Sequence, residues 1–129
     1  MSFRANYTTV YVGAQLAPEE RSLDLDWATD AGDGTEAFEF EVSTAEPHDP
    51  LIGLQAFDVG EFGHEILVND ESLSGFDIPP NEGWQYWVDT VTGTSLQEGT
   101  NTVRITRDAE TDDAFAVGTL TVHWRAPPE

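Results

Sequence analysis

Apolar and acidic residues alternate one for one in this chain, a period that fits a strand and no helix. In residues 22–28, SLDLDWA, Leu23, Leu25 and Trp27 share one parity while Asp24 and Asp26 share the other. Residues 36–43, EAFEFEVS, set Phe38, Phe40 and Val42 against Glu39 and Glu41 in the same way. Successive side chains of a strand point to opposite faces, so these stretches read as half-buried antiparallel strands with one wet face. No long stretch carries the spacing of an amphipathic helix. Further strands are predicted over residues 8–16, 51–59, 64–69, 84–90, 101–107 and 114–125, with gaps rich in Gly, Pro, Asp, Asn and Thr between most of them. Residues 29–36, TDAGDGTE, read as a turn between the first two alternating stretches. About eight short strands at this spacing predict an all-β fold. The expectation is a single antiparallel β-sandwich, jelly-roll-like and without a long helix, over residues 1–129, ordered from about 7 to 125 and frayed at the RAPPE end.

The last stretch breaks its own alternation. Phe115 and Val117 share one parity, Leu120, Val122 and Trp124 the other. Either a β-bulge near Gly118 brings both sets to one face, or the strand is buried on both faces.

Charge bounds the function. The chain has 25 Asp and Glu, five Lys plus Arg, and a formal charge of −20. All five cations are Arg: Arg4, Arg21, Arg104, Arg107 and Arg125. Exposed charges feel one another over about 8–10 Å at ordinary ionic strength but only about 3 Å at 1 M salt, so self-repulsion on this scale is relieved by salt. Loss of Lys with gain of Asp and Glu resembles the cytosolic proteins of salt-in halophilic archaea, which implies a soluble, cytoplasmic, salt-adapted protein. Five scattered Arg cannot supply the clustered phosphate contacts of a nucleic-acid surface. No stretch approaches the ~20 apolar residues that span a bilayer. The chain has no Cys, which removes disulfides, thiol chemistry and Cys-built zinc sites. Partners are therefore an unknown ligand or protein, not nucleic acid or membrane, and the chain is expected to be a monomer or homodimer.

Residues 96–105, LQEGTNTVRI, form an L-x-x-G-x-N turn feeding a strand, and upstream HEILVND ends in the turn pair Asn69-Asp70. This order of V-N-D, connection, L-x-x-G-x-N turn and long final strand is similar to the C-terminal half of galactose-binding-domain-like jelly-roll sandwiches. The resemblance covers roughly residues 51 to 125, with Asp70 where that family more often has Gly. It implies a fold, and its need for Gly99 and Asn101 concerns folding; the same sandwich serves sugar binding, protein binding and structural roles.

Candidate chemistry is sparse. There is no G-x-S-x-G elbow, and His48, His64 and His123 fit no metal signature, so they read as surface or packing residues. Asp30, Asp33 and Glu36 fall in a loop that offers a structural calcium site, although their spacing departs from the EF-hand pattern and a hydrated hairpin tip is the competing reading. The stretch GWQYWVD is the best binding candidate: Trp84 and Tyr86 share one parity, Trp87 the other, with Gln85 and Asp89 as polar contacts. Exposed rings there would stack on sugars, whereas core burial is the ordinary fate of large aromatics. Three functions follow: a non-catalytic binding or interaction module, a carbohydrate-binding module using Trp84, Tyr86 or Trp87, or a hydrolase working with two carboxylates.

Overall fold

Nine strands and no helix form among the described residues of the computed structural model, which are 3–74 and 77–128. The strands are β1 (Arg4–Leu16), β2 (Thr29–Gly32), β3 (Phe38–Val42), β4 (His48–Val59) and β5 (Glu65–Val68), followed by β6 (Glu71–Ser72), β7 (Asn81–Thr90), β8 (Gly99–Thr106) and β9 (Phe115–Ala126). They form a five-stranded sheet in the order β2-β1-β9-β4-β7 and a four-stranded sheet in the order β3-β8-β5-β6. The all-β sandwich expected from the alternation is the fold.

The two sheets close on one core. β4 contributes Ile52, Leu54 and Ala56, β8 Val103 and Ile105, β5 Ile66 and Val68, and all are fully or nearly fully buried. β3 behaves as its sequence predicts: Phe40 and Val42 are buried and Glu39 and Glu41 are exposed.

The final strand carries the bulge. Against β4, Leu54 pairs with Leu120 and Ala56 with Val117, so three steps of β9 match two of β4 around Gly118. The extra residue switches parity, and Phe115, Val117, Leu120, Val122 and Trp124 all reach the core.

Two expectations fail at the start of the chain. Residues 22–28 are a loop, because Leu23, Leu25 and Trp27 have the alternation but no ladder partner. Asp24 takes a left-handed φ of 51°. The Ser22 hydroxyl accepts from the Asp24 amide, and the Leu25 carbonyl accepts from the Ala28 amide, so local bonds compete with extension. The expected turn at 29–36 instead contains β2, which pairs in parallel with β1 through Ala14–Thr29 and Gln15–Asp30. The sandwich is thus antiparallel except at this one edge. β9 runs on to Ala126, within the segment expected to fray, and Glu129 lies outside the described residues.

The Asn69 and Asn101 side chains tie the far end. Asn101, 1% exposed, accepts from the Gln97 amide and from Asn69 Nδ2, each at 2.9 Å. Its Nδ2 donates to the carbonyls of Gln97 and Gly99, closing the turn on itself. Asn69 Oδ1 accepts from the Thr102 amide, which locks β5 to β8. Asn69 and Asp70 have φ of 53° and 66°, the two left-handed residues of a tight hairpin turn joining β5 to β6.

Candidate functional site

The pleat of the five-stranded sheet turns alternate residues outward, and on this face they assemble an aromatic surface. One row across the strands is Tyr11 on β1, Thr119 on β9, Gln55 on β4 and Tyr86 on β7. Tyr11 pairs with Thr119, the Thr119 amide donates to Gln55 Oε1 at 3.1 Å, and Gln55 pairs with Tyr86. The next row is Thr9, Thr121, Gly53 and Val88, and the one beyond is Tyr7, His123, Leu51 and Thr90. No Asp or Glu stands in these rows. The outer face of the four-stranded sheet differs: Glu39, Glu41 and Glu65 are exposed there. In a chain with 25 acids these three rows hold none, while the same face carries Asp30 at its β2 edge and Arg125, paired with Asp49, beyond the Tyr7 row.

Glycines make room for the rings. A Cβ on Gly53 would fall 2.4 Å from Tyr86 Oη, and one on Gly13 2.4 Å from Tyr11 Cε2, so each ring occupies the space a side chain would need. Trp84 leans from β7 over β9, with its Cζ3 3.5 Å from the Cβ site of Gly118. Its ring centroid lies 5.3 Å from Trp27 and 5.2 Å from Phe57. Trp27 arrives on the loop between β1 and β2, whose carbonyl at that residue accepts from Tyr11 Oη at 3.1 Å. Phe57, Trp84 and Trp27 therefore form a ridge beside the Tyr11–Tyr86 row. Trp84 is 51% exposed and Tyr86 54%, high values for such large rings.

The sequence candidates divide by parity. Trp84 and Tyr86 lie on this outer surface. Trp87 packs part-buried against the core, with its Nε1 buried and unpaired, and Asp89, of the same parity, accepts from the Thr90 amide. Tyr11, Trp27 and Phe57 escaped the sequence reading. The odd parity of Tyr7, Thr9 and Tyr11 against buried Val10 and Val12 did signal an outward tyrosine, but only the sheet order places it opposite Tyr86.

The acidic loop is not gathered. Asp33 Oδ1 accepts from Arg107 Nη2 at 2.6 Å and Nε at 3.0 Å, and Asp30 sits in β2 beside Gln15. Among the described residues no group of three or more His, Asp or Glu stands where it could hold a metal ion.

His64 is a packing residue with both nitrogens committed. The Asp108 amide donates to Nδ1 at 2.9 Å, so the proton of the neutral ring is on Nε2, which donates to Asp113 Oδ2 at 2.7 Å. Asp113 also accepts from the amides of Gly60 and Glu61, and the imidazole stacks on Phe115 at 4.2 Å. This dyad braces the β4–β5 and β8–β9 connections. Beside it, a cleft of about 560 Å³ is lined in part by Arg21, Asp58, Asn81, Glu82 and Asp113. Its groups serve the fold: Arg21 Nη1 donates to the Asp112 carbonyl, and Asp58 accepts from the Gly83 amide at 2.6 Å.

A model of DUF7383, a family of unknown function, matches residues 4–126. The chain belongs to that family. No curated protein sequence matches this DUF7383 chain. Among solved structures it is similar to a Podospora anserina GH26-CBM35 β-(1,4)-mannanase, with a TM-score of 0.55 and 13% identity. The match covers 95% of this chain and 28% of that one, so the DUF7383 chain spans less than a third of the enzyme's length. At that identity the likeness concerns the fold, and it supports the galactose-binding-like sandwich. Among the described residues of the DUF7383 chain no helix is long and apolar enough to cross a membrane.

Proposed function

We propose that this DUF7383 chain is a non-catalytic carbohydrate-binding module, salt-adapted, whose binding face is the outer surface of the five-stranded sheet. The observation that carries the reading is an exposed surface of Tyr, Trp and Thr, three rows deep and without a carboxylate in those rows, on a chain of charge −20. Aromatic rings offer apolar stacking, and their polar atoms together with the threonine hydroxyls offer hydrogen bonds, the pairing that a sugar's two kinds of surface require. The charge argues for an uncharged ligand, since the field of the whole chain disfavours anions. A structural neighbour that contains CBM35 within a mannanase supports the same class of ligand. The lack of Lys and the acidic remainder of the surface support adaptation to molar salt, where screening removes most of the repulsion.

The test is affinity electrophoresis of the purified chain in 2 M KCl through gels holding mannan, xylan or soluble β-glucan. Retardation by at least one of them is expected, with Trp84→Ala and Tyr86→Ala each weakening it about tenfold, about 1.4 kcal/mol, while leaving the circular-dichroism spectrum unchanged. Absence of retardation by every polysaccharide, or full retention by both variants, refutes the reading.

A further inference from the structure

The geometry points to an extended ligand: a chain of several linked, uncharged sugar rings lying across the strands along the Tyr11–Thr119–Gln55–Tyr86 row. This inference rests on the carbohydrate reading of the face and adds the length and direction of what it holds. The two tyrosines stand at opposite ends of the row, on β1 and β7, with β9 and β4 between them. Three strand spacings of about 4.8 Å set their backbones roughly 14 Å apart, and the lean of Tyr86 over Gly53 on β4 brings the rings to roughly 10 Å. A single sugar ring stacked on one cannot touch the other. Only a run of linked rings engages both.

The middle of the row suits the polar edge of such a run. Gln55 is exposed, and its Oε1 is held by the Thr119 amide, which leaves Nε2 as the donor for a ligand hydroxyl. The ridge fixes the direction. Trp84 reaches over β9 to stack beside Trp27, and Trp27 is anchored to Tyr11 through its carbonyl. One wall thus borders the row from β7 to β1, and a chain lying against it must run across the strands. Along its opposite side the next two rows hold no Asp, Glu or Arg, so nothing there selects a charged sugar.

The experiment is titration calorimetry in 2 M KCl with the wild-type chain and with mono- to hexasaccharides of the neutral β-1,4-linked manno, gluco and xylo series. At least a tenfold rise in affinity with length is expected in one series, followed by a plateau. Tyr11→Ala and Tyr86→Ala, both exposed positions whose folding is checked by circular dichroism, should each return the longest ligand to the affinity of a short one. Affinity that is flat with length while Tyr86→Ala still weakens binding leaves the carbohydrate reading standing and overturns the extended-chain inference. Binding that rises with length but ignores Tyr11→Ala overturns the direction assigned to the chain. No binding at any length overturns both. Sedimentation velocity in the same buffer supplies the last arm: a dimer that Tyr86→Ala converts to monomer would show that a second copy covers this face, and would also overturn the inference.

Discussion

Asn101 is the residue whose replacement most directly tests the account of the fold. Its side chain makes four hydrogen bonds at 2.9–3.1 Å: two accepted, from the Gln97 amide and Asn69 Nδ2, and two donated, to the Gln97 and Gly99 carbonyls. A typical bond of this kind contributes about 0.5–1.5 kcal/mol net, and stranding a buried partner costs about 1–3 kcal/mol. Gln97 is exposed, so water recovers part of the loss on that side. Asn101→Ala should therefore cost about 3 kcal/mol. For a domain of this length each kcal/mol moves Tm by about 4 °C, which makes the expected fall about 12 °C. Asn101→Asp is the sharper test. It keeps the acceptor and nearly the same volume, but sets a carboxylate oxygen against two carbonyls in a site 1% exposed. Its cost should equal or exceed that of Asn101→Ala. The assay is denaturant or thermal unfolding in 2 M KCl followed by circular dichroism. If Asn101→Asp lies within about 1 kcal/mol of wild type, the turn is not held by this amide and the reasoning fails.

Asp70→Gly should stabilise the chain by about 0.5–1 kcal/mol, seen as a Tm higher by a few degrees, because φ of 66° at the second turn position strains any side chain. His64→Phe should keep the stack on Phe115 yet strand Asp113 and the Asp108 amide, lowering stability by about 2–4 kcal/mol in the same unfolding assay. Tm should climb steeply from 0.1 to 3 M KCl, and a melt that ignores KCl would detach the −20 charge from salt adaptation. Millimolar calcium at constant ionic strength should leave Tm unchanged, since Arg107 already occupies Asp33; a calcium-specific rise would restore the Asp30–Asp33–Glu36 site.

What the sequence disclosed followed from local chemistry. β3 was legible because Glu39 and Glu41 alternate with residues that truly are buried, and the mixed parity of the last strand allowed either a bulge at Gly118 or burial on both faces, which the pairing with β4 decides for the bulge. Residues 22–28 show the same alternation and form no strand. The difference is a partner: β3 lies along β8, whereas the Leu23 amide donates to the side chain of Gln15. Periodicity says which side chains would share a face and nothing about whether a ladder is available. The aromatic surface was half legible for a related reason. Trp84 and Tyr86 announced themselves by parity, but the ring that completes the ridge comes from Trp27, 57 residues earlier, and sheet order alone brings it there.

The distribution of charge ties fold to function. A chain that stays in solution by means of carboxylates gains by placing them on wet positions, and β3 and β5 do so on the outer face of the four-stranded sheet with Glu39, Glu41 and Glu65. The three rows on the outer face of the five-stranded sheet, where Tyr7, Tyr11, Tyr86 and Val88 are exposed, do not. Tyr86 and Trp84 are about half exposed there, and two glycines, Gly13 and Gly53, are placed so that rings lie in the space of absent side chains. Folding requires none of this, because Val10, Leu54, Leu120 and Trp87 already close the sheet from its inner side. Exposed apolar surface raises the risk of association, and molar salt strengthens it by screening the repulsion that would oppose contact. A surface that carries such a liability and places no acid among its rings is best explained by an uncharged ligand that covers it, which is why the binding reading falls on this face and not on the polar cleft beside Asp113.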